Sequence, residues 1–268
     1  MGEKLKKGIY IIPSLFTCGN LACGCLSLMS SINGDFQQAA WLLILAIFFD
    51  AMDGRIARLM KTTSKFGIQL DSLSDLISFG IAPSIMMYQL VLNSMGKLGM
   101  LIAVLFVLCS ALRLSKFNVK VQDGVVHSFF SGLPTPASAG LLLSFVLSYE
   151  LFIADSGQSL TFKTIPIVMK NMPTFFRVMP IVMVMLSLLM VSSIPYISFK
   201  KVNLSKPKTF RLLVSMILFA LLVVAFPQNT IFILFSLYVL SGIVGVGAKY
   251  CKAYRKKICS KKGENNND

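Results

Sequence analysis

Histidine and charged residues are scarce in this chain. Its 268 residues include one histidine, and 14% of them are charged, against about 25% in a soluble globular domain. The six cysteines have no spacing to histidine or to one another that suits zinc, and we interpret them as free thiols. The composition therefore argues against both a zinc centre and a soluble enzyme domain.

Apolar residues are abundant instead, at 55% of the chain with a mean hydropathy of +0.74. Eight runs are apolar enough to be membrane helices, near 11–32, 38–60, 70–93, 97–115, 133–153, 176–199, 210–226 and 229–248. We predict an all-α integral membrane protein with about eight transmembrane helices. Residues 1–248 would form one membrane domain, and 249–268 a basic tail that is disordered at its end.

Basic residues outnumber acidic ones by 26 to 11, which gives a net charge of +15. We do not infer a nucleic-acid partner from this positive charge, because the basic residues lie between apolar runs. With the N-terminus inside, 22 of the 26 fall on the inner side of the membrane. The positive-inside rule therefore predicts a multi-pass protein of the cell (inner) membrane with both termini in the cytoplasm.

Four of the few acidic residues stand within residues 50–75, at the ends of two apolar runs. Asp50 and Asp53 are spaced i,i+3, and Asp71 and Asp75 are spaced i,i+4, so each pair shares one face of a helix. The connection between the runs is short and basic, which favours antiparallel neighbours. The two acidic faces are thus expected to meet near the cytoplasmic surface.

Four carboxylates in an apolar setting repel one another and call for cations. Oxygen ligands favour hard divalent ions, here Mg²⁺ or Mn²⁺. Two such ions would suit in-line attack at phosphorus. Gly54 and Gly67 would let a ligand or another backbone come close. The alternative is that the aspartates snorkel and pair with Arg55 and Arg58.

The pattern Asp50-x2-Asp53-Gly54-x2-Ala57-Arg58-x8-Gly67-x3-Asp71-x3-Asp75 resembles, without departure, the signature of the CDP-alcohol phosphatidyltransferases. These membrane enzymes displace CMP from a CDP-linked lipid with an alcohol. The resemblance implies a six-helix core with a cytoplasmic active site, and two helices beyond that core. It also implies a homodimer.

The resemblance further implies roles for individual residues. Asp50, Asp53 and Asp71 would bind a first metal ion, and Asp50, Asp71 and Asp75 a second. Asp75 would also be the general base for the attacking hydroxyl. The positions that would hold CDP-diacylglycerol are Gly54, Ala57, Arg58, Ser64 and Gly67. Two polar residues of the first helix, Thr17 and Asn20, could reach the nucleotide or could instead make hydrogen bonds between helices.

Two later stretches bear on the acceptor alcohol. ALRLSKFNVK (111–120) and FFSGLPTPASAG (129–140) resemble the bacterial and archaeal branch of the family that makes phosphatidylserine, although Ser115 and Lys116 replace a small residue and an arginine. L-serine is therefore the expected acceptor, with Arg113, Lys116 and Asn118 as its binding residues. In the alternative interpretation Arg113 snorkels, Asn118 caps the helix, and the proline-rich segment only punctuates the chain.

Two other functions stay open at this point. One is the same chemistry with glycerol 3-phosphate or an inositol phosphate as acceptor. The other is a divalent-cation transporter with an acidic binding site. Transporters often carry internal pseudo-symmetry, and the sequence has no internal repeat. Acidic residues on only two adjacent helices also suit a one-sided site better than a path.

Overall fold

The computed structural model describes residues 11–59, 65–122, 130–155, 172–192, 194–196 and 230–242. Apart from one pair of two-residue strands, the regular structure within these ranges is helical, as predicted. The helices are α1 (Ile11–Ile32), α2 (Phe36–Leu59), α3 (Lys65–Asp75), α4 (Ala82–Leu90), α5 (Lys97–Gln122), α6 (Thr135–Asp155), α7 (Met172–Val191) and α8 (Thr230–Gly242).

The predicted runs correspond to these helices with four differences. Helix α7 ends at Val191, whereas the predicted run 176–199 continues into a strand over Pro195–Tyr196. The run 70–93 is α3, a π-helical segment over Leu76–Ile81 and α4, followed by a short 3-10 turn over Leu92–Met95. Helix α5 does not end near residue 115 but continues to Gln122, since Lys and Arg are good helix formers. The run 210–226 lies outside the described residues, and the last run is described over 230–242. The number of helices and the side of the termini stay predictions.

Two stretches, Pro13–Ile32 of α1 and Lys97–Val119 of α5, are long and apolar enough to cross a membrane. Only 39% and 33% of their most apolar windows are buried, unlike the core helix of a soluble protein. Large apolar side chains such as Leu15, Met29 and Leu101 are instead more than 60% exposed. Soluble monomers rarely expose contiguous apolar surfaces of this kind, so the fold indicates a membrane protein.

Helix α1 organises the part of the fold that carries the aspartates. It packs along α2 and also contacts α3, the π-helical segment and α4. The turn between α1 and α2 passes through Gly34, whose φ of +87° favours glycine. Because α2 and α3 both pack on α1, the two acidic helices are held together by a third helix as well as by their short connection.

The π-helical segment is fixed tightly against its neighbours. A Cβ atom on Gly24 of α1 would lie 3.0 Å from the Cα atom of Ser78, and one on Gly80 would lie 2.9 Å from Oγ of Ser110 in α5. The Ser78 hydroxyl donates to the backbone carbonyl of Asn20 at 3.0 Å. Isolated π-helical turns occur frequently at functional sites, and this one begins immediately after Asp75.

The remaining helices complete the main apolar core, and Cys23, Ala46, Phe79 and Ala139 form a smaller cluster. Helix α5 packs against α7, and α6 packs against α2. The strands β1 (Phe130–Ser131) and β2 (Pro195–Tyr196) pair antiparallel, which ties the chain before α6 to the chain after α7. The largest fully buried side chains include Leu43, Phe79, Met86, Phe106, Leu142 and Met183.

Candidate active site

Three of the four aspartates converge. Asp50 and Asp53 of α2 and Asp71 of α3 each offer a carboxylate oxygen, and these oxygens all lie within 4.8 Å of one another. Asp53 is buried, and the other two are half-buried. The i,i+3 spacing on α2 and the packing of both helices on α1 thus bring together residues that are up to 21 positions apart in sequence.

Helix α1 supplies a hydrogen-bond partner to the α2 side of this cluster. The hydroxyl of Thr17 lies 3.0 Å from Oδ2 of Asp53 and 3.1 Å from the carbonyl oxygen of Pro13, so its proton is shared between the two acceptors. Thr17 is itself buried. The backbone of Gly54 also contributes a hydrogen bond to the Asp53 carboxylate. The orientation of this carboxylate is therefore set from two directions.

The same helix supplies a partner to the α3 side. The side-chain amide of Asn20 donates to Oδ1 of Asp75 at 3.3 Å. Both residues are buried, and Asp75 is not one of the three residues whose oxygens converge within 4.8 Å. One residue before it, the hydroxyl of Ser74 donates to the backbone carbonyl of Thr17 at 3.2 Å. The hydrogen bonds of Ser74 and Asn20 together fix the register between α1 and α3.

The converging oxygens fit a hard divalent cation. Carboxylates are the ligands that Mg²⁺ and Mn²⁺ prefer, and an octahedral Mg²⁺ with bonds of 2.0–2.1 Å separates its ligands by about 2.9–4.1 Å. The observed limit of 4.8 Å is close to that range. Oδ1 of Asp71 is also buried without a hydrogen-bond partner among the described residues. A buried anionic oxygen without a donor is costly, and a cation would satisfy it.

One positive charge faces the aspartates from α5. The guanidinium of Arg113 interacts electrostatically with the carboxylates of Asp75 and Asp50. Its NH1 nitrogen donates to the hydroxyl of Thr135 at 3.0 Å, and its Cζ atom lies 5.9 Å from the centroid of the Phe117 ring. Arg113 thus points into the helix bundle and does not reach out along the helix surface to the lipid headgroups.

Asn118 and Lys116, the other two residues predicted for the serine pocket, have surroundings that differ from those of Arg113. The side-chain amide of Asn118 donates to the hydroxyl of Ser72 at 2.7 Å, which ties α5 to α3 beside Asp71. Asn118 therefore does not cap the helix. Lys116 is exposed.

The residues predicted to hold CDP-diacylglycerol are described in part. Gly54 follows Asp53 on α2, and Gly67 lies in the first turn of α3. Ala57 and Arg58 belong to α2, but their side chains lie outside the described residues, as does the whole of Ser64. Thr17 and Asn20 hydrogen-bond to two of the aspartates, so the packing interpretation of these residues is the one that the geometry favours.

Three residues near the aspartates were not predicted from the sequence. They are Ser72, which accepts from Asn118, Thr135, which accepts from Arg113, and Tyr238 of α8, which interacts electrostatically with Arg113. Thr135 stands within the proline-rich segment quoted above, and that segment is the signal by which it could have been found. Ser72 directly follows Asp71 within the acidic motif, but it is a variable position of that motif. Tyr238 lies in an apolar helix and carries no such signal.

The chain is similar to known proteins over most of its length. A family model described as CDP-alcohol phosphatidyltransferase matches residues 10–170. A CDP-diacylglycerol–serine O-phosphatidyltransferase of Helicobacter pylori is 35% identical over 239 residues, which cover 88% of this chain and 91% of the relative.

Two further relatives align over about half of this chain. An archaetidylserine synthase of Methanothermobacter thermautotrophicus is 40% identical over 152 residues, 55% of this chain and 63% of the relative. A CDP-diacylglycerol–serine O-phosphatidyltransferase of Bacillus subtilis is 33% identical over 146 residues, 54% of this chain and 81% of the relative. The region that matches the family model contains all four aspartates, Arg113 and Thr135.

Proposed function

The chain belongs to the CDP-alcohol phosphatidyltransferase family, and from that premise we propose that it transfers the phosphatidyl group of CDP-diacylglycerol to L-serine. The products would be phosphatidylserine and CMP. The observation that carries the proposal is the juxtaposition of three converging carboxylates with the guanidinium of Arg113. The names of the relatives, one of which aligns with 88% of the chain, support serine as the acceptor.

Two divalent ions, Mg²⁺ or Mn²⁺, are part of this proposal. Asp50, Asp53 and Asp71 would hold the first, and Asp50, Asp71 and Asp75 the second. Bound there, the ions would neutralise the diphosphate of the donor and the negative charge that develops during displacement. The buried, unpartnered oxygen of Asp71 supports the first set. The second set rests on the family resemblance and on the electrostatic interaction of Asp75 with Asp50 and Asp71.

Asp75 would take the proton of the acceptor. In this step the serine hydroxyl oxygen forms a bond to the β-phosphorus of CDP-diacylglycerol, and the bond from that phosphorus to the CMP oxygen breaks. The hydroxyl proton passes to Asp75, and CMP leaves with the electron pair of the broken bond. Asn20 engages Oδ1 of Asp75, so we assign the proton to Oδ2.

Arg113 would bind the serine carboxylate. Arginine presents a planar fork of N–H donors that matches the two oxygens of a carboxylate. Its position beside Asp75 and Asp50 would place the serine hydroxyl near the base. Asn118 would act indirectly, because its amide is engaged by Ser72, and it would keep α5 in register with α3.

The donor lipid would be held by the glycine-containing side of the acidic motif. Gly54, Ala57 and Gly67 would let the diphosphate and nucleotide approach the backbone closely. Arg58 would pair with the diphosphate, and Ser64 would hydrogen-bond to the CDP moiety. These assignments rest on the match to the family signature.

The surroundings of the site complete the proposal. The protein would lie in the cell (inner) membrane as a homodimer, with 1–248 as its membrane domain and 249–268 as a basic cytoplasmic tail. The distribution of Lys and Arg supports a site that faces the cytoplasm. CDP-diacylglycerol would enter from the bilayer and serine from the cytoplasm.

A direct experiment tests the proposed reaction. Purified protein in detergent or in vesicles is incubated with CDP-diacylglycerol, Mg²⁺ or Mn²⁺ and one acceptor at a time, and CMP release is measured. The acceptors are L-serine, glycerol 3-phosphate and inositol 1-phosphate. We expect CMP release with L-serine. CMP release with a phosphorylated alcohol but not with L-serine would reassign the acceptor.

A further inference from the structure

The guanidinium of Arg113 is anchored by helix α6. Its NH1 nitrogen donates to Oγ1 of Thr135 at 3.0 Å, and Thr135 is completely buried. The ring of Phe117, one turn further along α5, lies 5.9 Å from the guanidinium carbon, within the range of a cation–π interaction. Arg113 therefore has partners both across the bundle and on its own helix.

The position of Thr135 is itself fixed by the end of α7. The backbone N–H of Gly132 donates to the carbonyl of Ile194 at 2.9 Å, and that of Leu133 donates to the carbonyl of Leu189 at 3.0 Å. Gly132 has a φ of +92°, and a Cβ atom there would lie 2.9 Å from the carbonyl oxygen of Ser192. These contacts fix the backbone of Gly132 and Leu133, and this fixes the position of the Thr135 hydroxyl at the start of α6.

Helix α8 packs against α6, the helix that begins with Thr135. Tyr238 of α8 is partly buried against the core. The helix is seated on α6, because the ring of Phe235 lies where a Cβ atom on Gly140 would stand, and Val239 is buried. Helix α8 lies beyond residues 10–170, the part of the chain that matches the family model.

We propose that Thr135 is a positioning residue that holds Arg113 in the orientation that binds the carboxylate of the acceptor. The inference rests on the proposed function, since it assumes that Arg113 receives a carboxylate. A guanidinium has five N–H donors, and Thr135 engages one of them. The remaining donors are sufficient for a two-pronged contact with the acceptor. The proline-rich segment thereby acquires a role in acceptor selectivity.

The test separates acceptor binding from all other steps. We would measure kcat and KM for L-serine and for CDP-diacylglycerol in Thr135→Val and Thr135→Ser. Thr135→Val keeps the shape but removes the hydrogen-bond acceptor, and we expect KM for serine to rise roughly 10-fold, as for loss of a hydrogen bond to a charged group. KM for CDP-diacylglycerol should change by less than about 2-fold, because Arg113 is assigned to the acceptor.

The other variant acts as an internal check. Thr135→Ser retains a hydroxyl and should restore most of the serine affinity. Ser144→Ala is the matched control on α6, since Ser144 is buried and its hydroxyl donates only to the carbonyl of Leu141 in the same helix.

A double variant identifies the route of the effect. In an Arg113→Lys background, Thr135→Val should have little further effect on KM for serine if it acts through Arg113. Melting of each variant in detergent would show whether it folds. If Thr135→Val does not fold, Thr135→Ala takes its place.

The outcomes that contradict the proposals differ. Wild-type protein that releases no CMP with L-serine would overturn both the function and this inference. Active wild-type protein with an unchanged KM for serine in folded Thr135→Val would overturn the inference alone. An equal rise in both KM values would do the same, because it would mean a general distortion of the site.

Discussion

The side-chain amide of Asn20 in α1 donates a hydrogen bond to Oδ1 of Asp75 in α3, over 3.3 Å and between two buried residues. Oδ1 of Asn20 is itself buried and has no hydrogen-bond partner among the described residues. Thr17, one turn earlier on α1, makes the equivalent contact with Asp53 of α2. Helix α1 contributes no carboxylate of its own, yet it orients one carboxylate from each acidic helix.

The pair Asn20 and Asp75 gives the first prediction. Asp75→Asn should bind CDP-diacylglycerol but lose roughly 10²–10⁴-fold in kcat, the range for loss of an acid–base group. Asn20→Leu keeps the carboxylate but removes its orienting donor, so kcat should fall less, by about 10-fold. Steady-state CMP release measures both.

The matched control for Asn20 is Ser31→Ala. Ser31 is a buried residue on the same helix whose hydroxyl donates to the carbonyl of Ser27, away from the aspartates. Near-normal kcat in folded Asp75→Asn would show that another group takes the proton.

Metal dependence is the second prediction. Chelation with EDTA should abolish CMP release, and Mg²⁺ or Mn²⁺ should restore it. Asp50→Ala and Asp71→Ala should remain inactive at any concentration of these ions, because each removes a ligand from the converging set. Asp35→Asn, which alters an exposed acidic residue in the turn before α2, is the control and should behave as wild type. Full turnover in metal-free buffer would rule out the cation site.

Close packing of α1 against the π-helical segment gives the third prediction. A Cβ atom on Gly24 would lie 3.0 Å from the Cα atom of Ser78, which is backbone and cannot swing away. Gly24→Ala should therefore lower the free energy of unfolding by about 1–3 kcal/mol, as overpacking does. On the same helix, a Cβ atom on Gly19 would meet only the Phe49 ring, at 3.4 Å.

Thermal melting in detergent measures the difference between the two glycine variants. Gly19→Ala should melt close to wild type, since 3.4 Å is ordinary van der Waals contact. Equal melting temperatures for Gly24→Ala and wild type would mean that the π-helical segment can shift without cost.

Much of this site could be predicted from the sequence because its signal is local. The i,i+3 and i,i+4 spacings define helix faces, and the aspartates lie within residues 50–75, so a short connection suffices to bring them together. Helix positions followed in part from the apolar runs for the same reason: α1 ends at Ile32, where its run ends. Arg113 could be identified because a charge within an apolar run needs a partner.

The rest could not be predicted because it depends on contacts between distant segments. Thr17 and Asn20 meet aspartates 36 and 55 residues away, and no periodicity shows which helix α1 will touch. The π-helical turn after Asp75 depends on how closely Gly24 and Ser110 approach it, which is a property of packing. Tyr238 approaches Arg113 from a helix more than 100 residues later, and an aromatic residue in an apolar helix is ordinary.

The fourth prediction concerns Arg113. Arg113→Ala should raise KM for serine by about 10- to 150-fold, which corresponds to losing a charge-assisted hydrogen bond of about 1.5–3 kcal/mol. Arg113→Lys should recover only part of the loss, because a point charge does not match two carboxylate oxygens. KM for CDP-diacylglycerol should stay near the wild-type value. Arg177→Ala, an exposed arginine of α7, is the control. Unchanged serine kinetics in both Arg113 variants would assign that residue a structural role only.

The most direct measurement is the identity of the lipid product when the acceptors compete. Wild-type protein would be given CDP-diacylglycerol, Mg²⁺ or Mn²⁺, and equal concentrations of L-serine, glycerol 3-phosphate and inositol 1-phosphate, and the lipids would be analysed by mass spectrometry. We expect phosphatidylserine as the dominant product, formed in a one-to-one ratio with CMP and absent after chelation. A product that carries glycerol phosphate or inositol phosphate, with no phosphatidylserine, would contradict serine as the acceptor.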